Sequence, residues 1–224
     1  MSGSTENFGE SFSELEAHSI PIVTVVNDIS CSNRILHVAA DGYSAGQMAA
    51  ELLYLCCPGQ RIAILTGSDS TYIHHENLAG FMKETSTQAF SAVDIWEHQD
   101  NPTLVNQQLD VILKADSPYQ GIYITSASTI IAFSRLNELS PEHIPKIITT
   151  DLFAENQVLL DKRIACATIF QNPFRQGQQA VKKLHQYLQG KDIEDSMHIP
   201  PQMVLRSNMN YFLTSEIKDA ESSL

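Results

Sequence analysis

The sequence predicts an α/β fold built on a parallel sheet, and three observations lead there. Short apolar runs recur at Arg61–Leu65, Val93–Trp96, Ile122–Ile124, Ile147–Thr149 and Ala165–Ile169. Segments with apolar positions at helical spacing separate them: Tyr72–Thr85, Thr103–Lys114, Ser128–Leu139 and Leu152–Leu160. Strands that alternate with helices form parallel βαβ units with right-handed crossovers. Third, the runs Ile147–Thr149 and Ile164–Ile169 lead into polar residues that accept hydrogen bonds, Asp151 and Gln171. The carboxyl ends of strands in such sheets are where ligands sit.

Taken in order, Met1–Asn7 reads as a loose polar tail and Phe8–His18 as a short helix, with Phe8, Phe12 and Leu15 on one face. Pro21 opens a strand, Ile22–Val26. Asn27–Asn33 is a polar loop, and Ile35–Ala39 a second strand. Tyr43–Cys57 carries Ala45, Met48, Ala49, Leu52 and Leu53 on one helical face, and Pro58-Gly59 stops it. After the strand–helix alternation, Phe174–Leu188 is a helix closed by Gly190. Val204–Arg206 and Asn210–Leu213 read as a final strand pair, and Ser215–Leu224 as a polar tail.

At 224 residues the chain can bury one large core or two small ones. Its 43% hydrophobic and 18% charged content is that of an ordinary globular protein. With 14 basic residues against 26 acidic ones, the net charge is −12. Phosphate-backbone binding needs clustered Lys and Arg, so direct nucleic-acid binding is not expected. No apolar run reaches the roughly 20 residues of a membrane span. The N-terminus lacks the basic start and apolar centre of a secretory signal, so the chain is expected to be cytoplasmic. Cys31, Cys56, Cys57 and Cys166 match no zinc or redox spacing and are read as reduced structural thiols.

The turn Thr66–Ser70 lies between a strand and a helix, but it lacks the further glycines and the lysine of a phosphate loop. His74 and His75, being adjacent, point to different helix faces and cannot share a metal as an i, i+4 pair can. One of them is expected at the ligand edge. No G-x-S-x-G elbow is present. Ser126 and Ser128 lie just past a strand end, where a serine either caps the next helix or touches ligand. Asp151 has the same two readings. Beside Gln171, it suits a neutral polyhydroxylated molecule, which needs fixed donors and acceptors with apolar surface between them.

The run A-T-I-F-Q-N-P-F-R-Q-G at Ala167–Gly177, with T-T-D upstream, resembles the sugar-binding module of ribose-type periplasmic binding proteins and of LacI/GalR regulator effector domains. I-P-I-V-T-V-V-N at Ile20–Asn27, A-D-G-Y-S-A-G-Q-M-A-A-E-L-L at Ala40–Leu53, R-I-A-I-L-T-G at Arg61–Gly67 and N-L-A-G-F at Asn77–Phe81 agree in order and spacing. The resemblance runs from about Leu15 to Leu213. It implies a type I periplasmic-binding-protein-like fold of two α/β lobes with a sugar in the cleft between them. Matched by position, Asp151 is the acid that accepts from sugar hydroxyls and Gln171 the hinge amide. His75 stands where the family has Arg, Ser128 where Asn is usual, and Asn27 beside the strand end that often carries Asp or Arg. Arg offers a bidentate fork that His cannot copy. These departures imply a ligand other than ribose, or binding that is weak or lost.

The family places three further strand–helix units before the equivalent of Leu15. The reading is therefore a first lobe left incomplete (residues 15–40 and 172–200) beside a complete second lobe (41–171 and 201–214), with polar tails at 1–14 and 215–224. A truncated product is expected, with an open edge at the strand Ile22–Val26 that favours association. The expected function is that of a non-catalytic effector or sensor domain for a small carbohydrate, without cofactor or metal. The expected partners are the sugar and a second copy of the chain, with DNA contacted solely through a separate helix-turn-helix. A transporter receptor is the alternative, then a small sugar-processing enzyme using Asp151 with His75.

Overall fold

The computed structural model describes residues 9–29, 31–87, 89–140 and 144–213. The tails read at Met1–Asn7 and Ser215–Leu224, and Phe8 at the expected helix start, lie outside the described residues. The chain forms two compact units, Met1–Asp41 with Asn172–Pro200 and Gly42–Gln171 with Pro201–Leu224.

The first unit holds α1 (Gly9–Ala17), β1 (Ile22–Val25), β2 (Arg34–Ala40), α7 (Pro173–Leu188) and β8 (Ser196–Ile199). Its three strands are parallel in the order β1-β2-β8. Leu36, Val38, Ala180 and Ile199 form its small core, with α7 laid against β1 and β2. Asn172 caps α7, its Oδ1 accepting from Arg175 N at 3.0 Å, and Pro173 follows in the first turn, where its missing N–H costs nothing.

The second unit holds α2 (Gly42–Cys56), β3 (Arg61–Thr66), α3 (Tyr72–Thr85), β4 (Ala92–Glu97), α4 (Pro102–Leu113), β5 (Gly121–Ile124), α5 (Ser128–Asn137), β6 (Lys146–Thr150), α6 (Ala154–Asp161), β7 (Ala165–Phe170) and β9 (Gln202–Val204). The sheet runs β4-β3-β5-β6-β7-β9, parallel except for β9 against β7. Helices cover both faces, so the strands are apolar at nearly every position. Alternation sorts them: Ile62, Ile64, Tyr123, Ile148 and Ile169 pack under α2 and α3. Ala63, Leu65, Ile122, Ile124 and Ile147 pack on the other face with Val105, Leu109, Ala132, Leu136 and Leu159 of α4, α5 and α6.

Helices α2 and α3 cross backbone to backbone. A Cβ on Gly46 would overlap Asn77 O, and one on Gly80 would overlap Tyr43 O. Tyr123 is fully buried beneath this crossing and donates to Asn77 Oδ1 at 2.7 Å, while Asn77 Nδ2 donates to Ile73 O.

Two sequence expectations at the C-terminal end are corrected. The strand expected at Val204–Arg206 is Gln202–Val204, antiparallel to β7. Asn210–Leu213 is helical, not a strand. Asn208 Oδ1 accepts from Leu205 N at 2.7 Å and starts a helical turn that buries Met209 and packs Phe212 edge-on against Phe170. The strand β8 was not anticipated.

Candidate functional site

Strands β3, β5, β6 and β7 run the same way and end at one rim. From β3 the chain passes to β4 on one side and then to β5 on the other. The strand order therefore reverses between β3 and β5, and ligands of open α/β sheets bind at such a reversal.

Asp151 follows β6 with φ +63°, a left-handed conformation that Asp tolerates better than most residues. Four groups hold it there. Its N–H donates to Ile169 O at 2.9 Å, and its carbonyl accepts from Thr168 Oγ1 at 2.6 Å and Asn156 Nδ2 at 2.9 Å. Its carboxylate Oδ1 accepts from the backbone N–H of Gln171 at 2.9 Å. Thr150 is paired with Ile169, so the register of β6 and β7 brings acid and amide to adjacent strand ends. Gln171 is buried. Asp151 is not the cap of the following helix, contrary to one of its two sequence readings. Helix α6 begins at Ala154 after the extended Phe153, with no side-chain cap, so the left-handed Asp151 lies too far upstream to cap it.

At the end of β5, Thr125 donates to Thr66 Oγ1 at 2.7 Å. Thr125 Oγ1 also lies 3.4 Å from His74 Nδ1, at the limit of a hydrogen bond. His74 is buried with its ring against Gly67, where a Cβ would overlap Nε2. His75, the histidine matched by position, instead faces outward at 60% side-chain exposure and pairs with Asp69 Oδ1 at 3.2 Å. Adjacent helical residues point to different faces, and here the inward one is His74. The proposed acid–base pair of Asp151 with His75 is therefore not formed.

His98 follows β4 and is fully buried. Its backbone N–H donates to Thr66 O, and its Nδ1 accepts from Asp100 N at 3.1 Å. Its Nε2 has no partner among the described residues. Burial holds both His74 and His98 below the usual histidine range, the charge of Asp100 opposing it. Two neutral imidazoles thus stand behind the strand reversal. Sequence reading missed His98, whose one signal is its place directly after a strand.

Ser126 Oγ accepts from Ser128 N at 3.2 Å and donates to Ser128 Oγ at 2.9 Å. Ser128 is the first residue of α5, and the cap position is Ala127. Ser126 thus closes a turn at the rim, and Ser128 is buried within it.

Asn27 lies in the first unit, beyond β1. Val26 before it has φ +71°, strained for a β-branched residue, and Asn27 N donates to Val25 O across it at 3.0 Å. Asn27 Oδ1 is buried and has no hydrogen-bond partner among the described residues. Strain and an unsatisfied acceptor at a strand end are features of a binding position.

The described residues contain no group of three or more His, Cys, Asp or Glu able to hold a metal ion, and no helix long and apolar enough to cross a membrane. The second unit's rim offers neutral donors and acceptors beside the Asp151 carboxylate, on rigid strand ends.

A periplasmic binding protein domain description matches residues 2–192. No curated protein matches the chain in sequence. Among solved structures, a glucose-galactose binding protein from Geobacillus stearothermophilus is 26% identical, with TM-score 0.78, over 91% of this chain and 74% of that one. A solute-binding protein of an ABC transporter from Burkholderia graminis, in complex with D-arabinose, is 20% identical, with TM-score 0.79, over 89% and 72%. The fructose-binding periplasmic domain of a hybrid two-component system is 16% identical, with TM-score 0.80, over 96% and 74%. With its α/β fold, its parallel strands and this match over most of its length, the chain belongs to the periplasmic binding protein domain family.

Proposed function

We propose that this chain is a non-catalytic receptor domain for a neutral monosaccharide, bound at the carboxyl rim of the second unit. The observation that carries the reading is Asp151, fixed in a left-handed turn by Asn156, Thr168, Ile169 and the Gln171 N–H. Such fixing pre-organises an acceptor for hydroxyl groups, so the chain loses little ordering entropy on binding. Ser126, Thr125, His74 and the Gln171 side chain supply further polar atoms. His74 at this rim favours an uncharged ligand, since a neutral imidazole gives one donor and one acceptor. The relatives named above bind glucose or galactose, D-arabinose and fructose, which supports the sugar class.

The finer reading is a sensor: the effector domain of a LacI-like regulator, in which sugar shifts the populations of two conformations by its differential affinity for them. The receptor of a sugar transporter is the second reading, favoured by the ABC-transporter solute-binding proteins among the structural relatives. A thermal-shift screen of pentoses and hexoses tests the shared claim. A saturable rise in melting temperature with one monosaccharide is expected, and no rise with any of them would refute it. Mobility-shift assays with the chain alone are expected to give no specific DNA complex.

A further inference from the structure

We propose a second binding site, for a small phosphate-bearing anion, at the opposite, amino-terminal rim of the same sheet. A depression of about 410 Å³ opens there between the starts of β6 and β7 and the turn after β9. Lys146, Arg163 and Arg206 line it with Ser207, and Leu160 and Leu205 form apolar walls. Among the described residues no carboxylate lines it. In a chain of net charge −12, three cations from three separate segments line one depression, with no acid beside them among the described residues.

Paired and unpaired cations both occur elsewhere among the described residues. Arg34, Arg61 and Arg135 each engage an aspartate, and Lys183 a glutamate. Lys146, Arg163 and Arg206 have no carboxylate partner within 4.0 Å among the described residues. Like charges held together repel, and an anion between them relieves that cost.

The backbone adds an independent observation. Helix α6 ends with Arg163 N donating to Leu160 O and Ile164 N donating to Leu159 O, with Arg163 at φ +59°. This closing motif places a left-handed residue where glycine is favoured. Helix α7 ends with the same bonds, Gly190 N to Tyr187 O and Lys191 N to Gln186 O, and there glycine occupies the left-handed position at φ +75°. At α6 the chain carries an arginine instead, against a backbone preference of about 1 kcal/mol. The dipole of α6 favours one cation at that end. It does not account for Lys146 and Arg206 arriving from two other elements. Guanidinium groups grip phosphate oxygens through paired hydrogen bonds, and the apolar walls suit the carbon part of a phosphate ester.

The test is calorimetric titration of the full chain at low ionic strength with inorganic phosphate and, separately, with glycerol phosphate. Saturable binding is expected with one or both. Tighter binding of the ester assigns an organic ligand, and equal binding assigns free phosphate. Arg163→Gly is the informative variant, because it relaxes the left-handed backbone while deleting the guanidinium. It should weaken binding about tenfold with a melting temperature no lower than the parent's. Arg206→Ala should weaken binding to a similar degree. Phosphate should slow alkylation of Cys166, which lines the depression, and leave that of Cys31 unchanged. Asp151→Ala should leave phosphate binding intact, which separates this site from the sugar rim. No saturable binding, or affinity unchanged in both arginine variants, would overturn the proposal.

Discussion

The backbone N–H of Gln171 donates to the Asp151 carboxylate across 2.9 Å, joining the ends of two adjacent parallel strands. The same carboxylate therefore has a structural duty and, in the proposed function, a binding one. Substitution can separate them. Asp151→Asn keeps an acceptor for Gln171 and a side chain that tolerates the left-handed region. Its stability should stay within about 0.5 kcal/mol of the parent in urea denaturation, while sugar affinity falls about tenfold as a charged acceptor becomes neutral. Asp151→Ala should lose about 2–3 kcal/mol of stability as well, from the strained backbone and the unsatisfied N–H.

The α2–α3 crossing should be intolerant of any side chain. Gly46→Ala and Gly80→Ala each drive a Cβ into backbone of the other helix, which cannot yield as a flexible side chain would. Each should destabilise the second unit by about 2–4 kcal/mol in chemical denaturation. Gly177→Ala, whose Cβ would meet nothing within 4 Å, should be neutral or stabilising by up to about 1 kcal/mol.

Tyr123→Phe should cost about 1–2 kcal/mol. It removes the donor to Asn77 Oδ1 and leaves that oxygen buried, while the ring and its stack on Phe81, centroids 5.9 Å apart, remain. Equilibrium denaturation of the variant measures the difference.

Stability should fall in mild acid. His74 and His98 bind protons less readily when folded than when unfolded, because burial disfavours the charged ring. The unfolded chain therefore takes up protons first as pH drops below about 6.5. The stability these residues contribute is complete above that pH and is lost as pH falls toward their depressed folded values. His98→Asn, which can still accept from Asp100 N, should flatten the decline measured by urea denaturation between about pH 7.5 and 5. A decline unchanged in this variant would assign the acid sensitivity elsewhere.

The strands of the second unit were readable because both faces of a parallel sheet are buried, which leaves continuous apolar runs such as Arg61–Thr66 and Ala165–Phe170. What failed were elements set by partners distant in sequence. The strand β8 reads S-M-H-I, with little apolar signal, and exists through pairing with β2. Met209, Tyr211 and Leu213 alternate as a strand would, yet Met209, Phe212 and Leu213 are the packed residues, three and four apart as in a helix, and Tyr211 is 76% exposed. At the rim, Asp151 and Gln171 were legible because they directly follow apolar runs. The choice between His74 and His75 was not, since it depends on which way α3 turns about Gly67. Asn156 fixes Asp151 from within a helix, through contacts no local pattern encodes.

The most direct test of the central claim is amide chemical-shift mapping of the chain with the monosaccharide that gives the largest thermal shift. The account predicts the largest changes at Thr125, Ser126, Asp151 and Gln171. Changes absent there, or gathered around Lys146, Arg163 and Arg206, would contradict it.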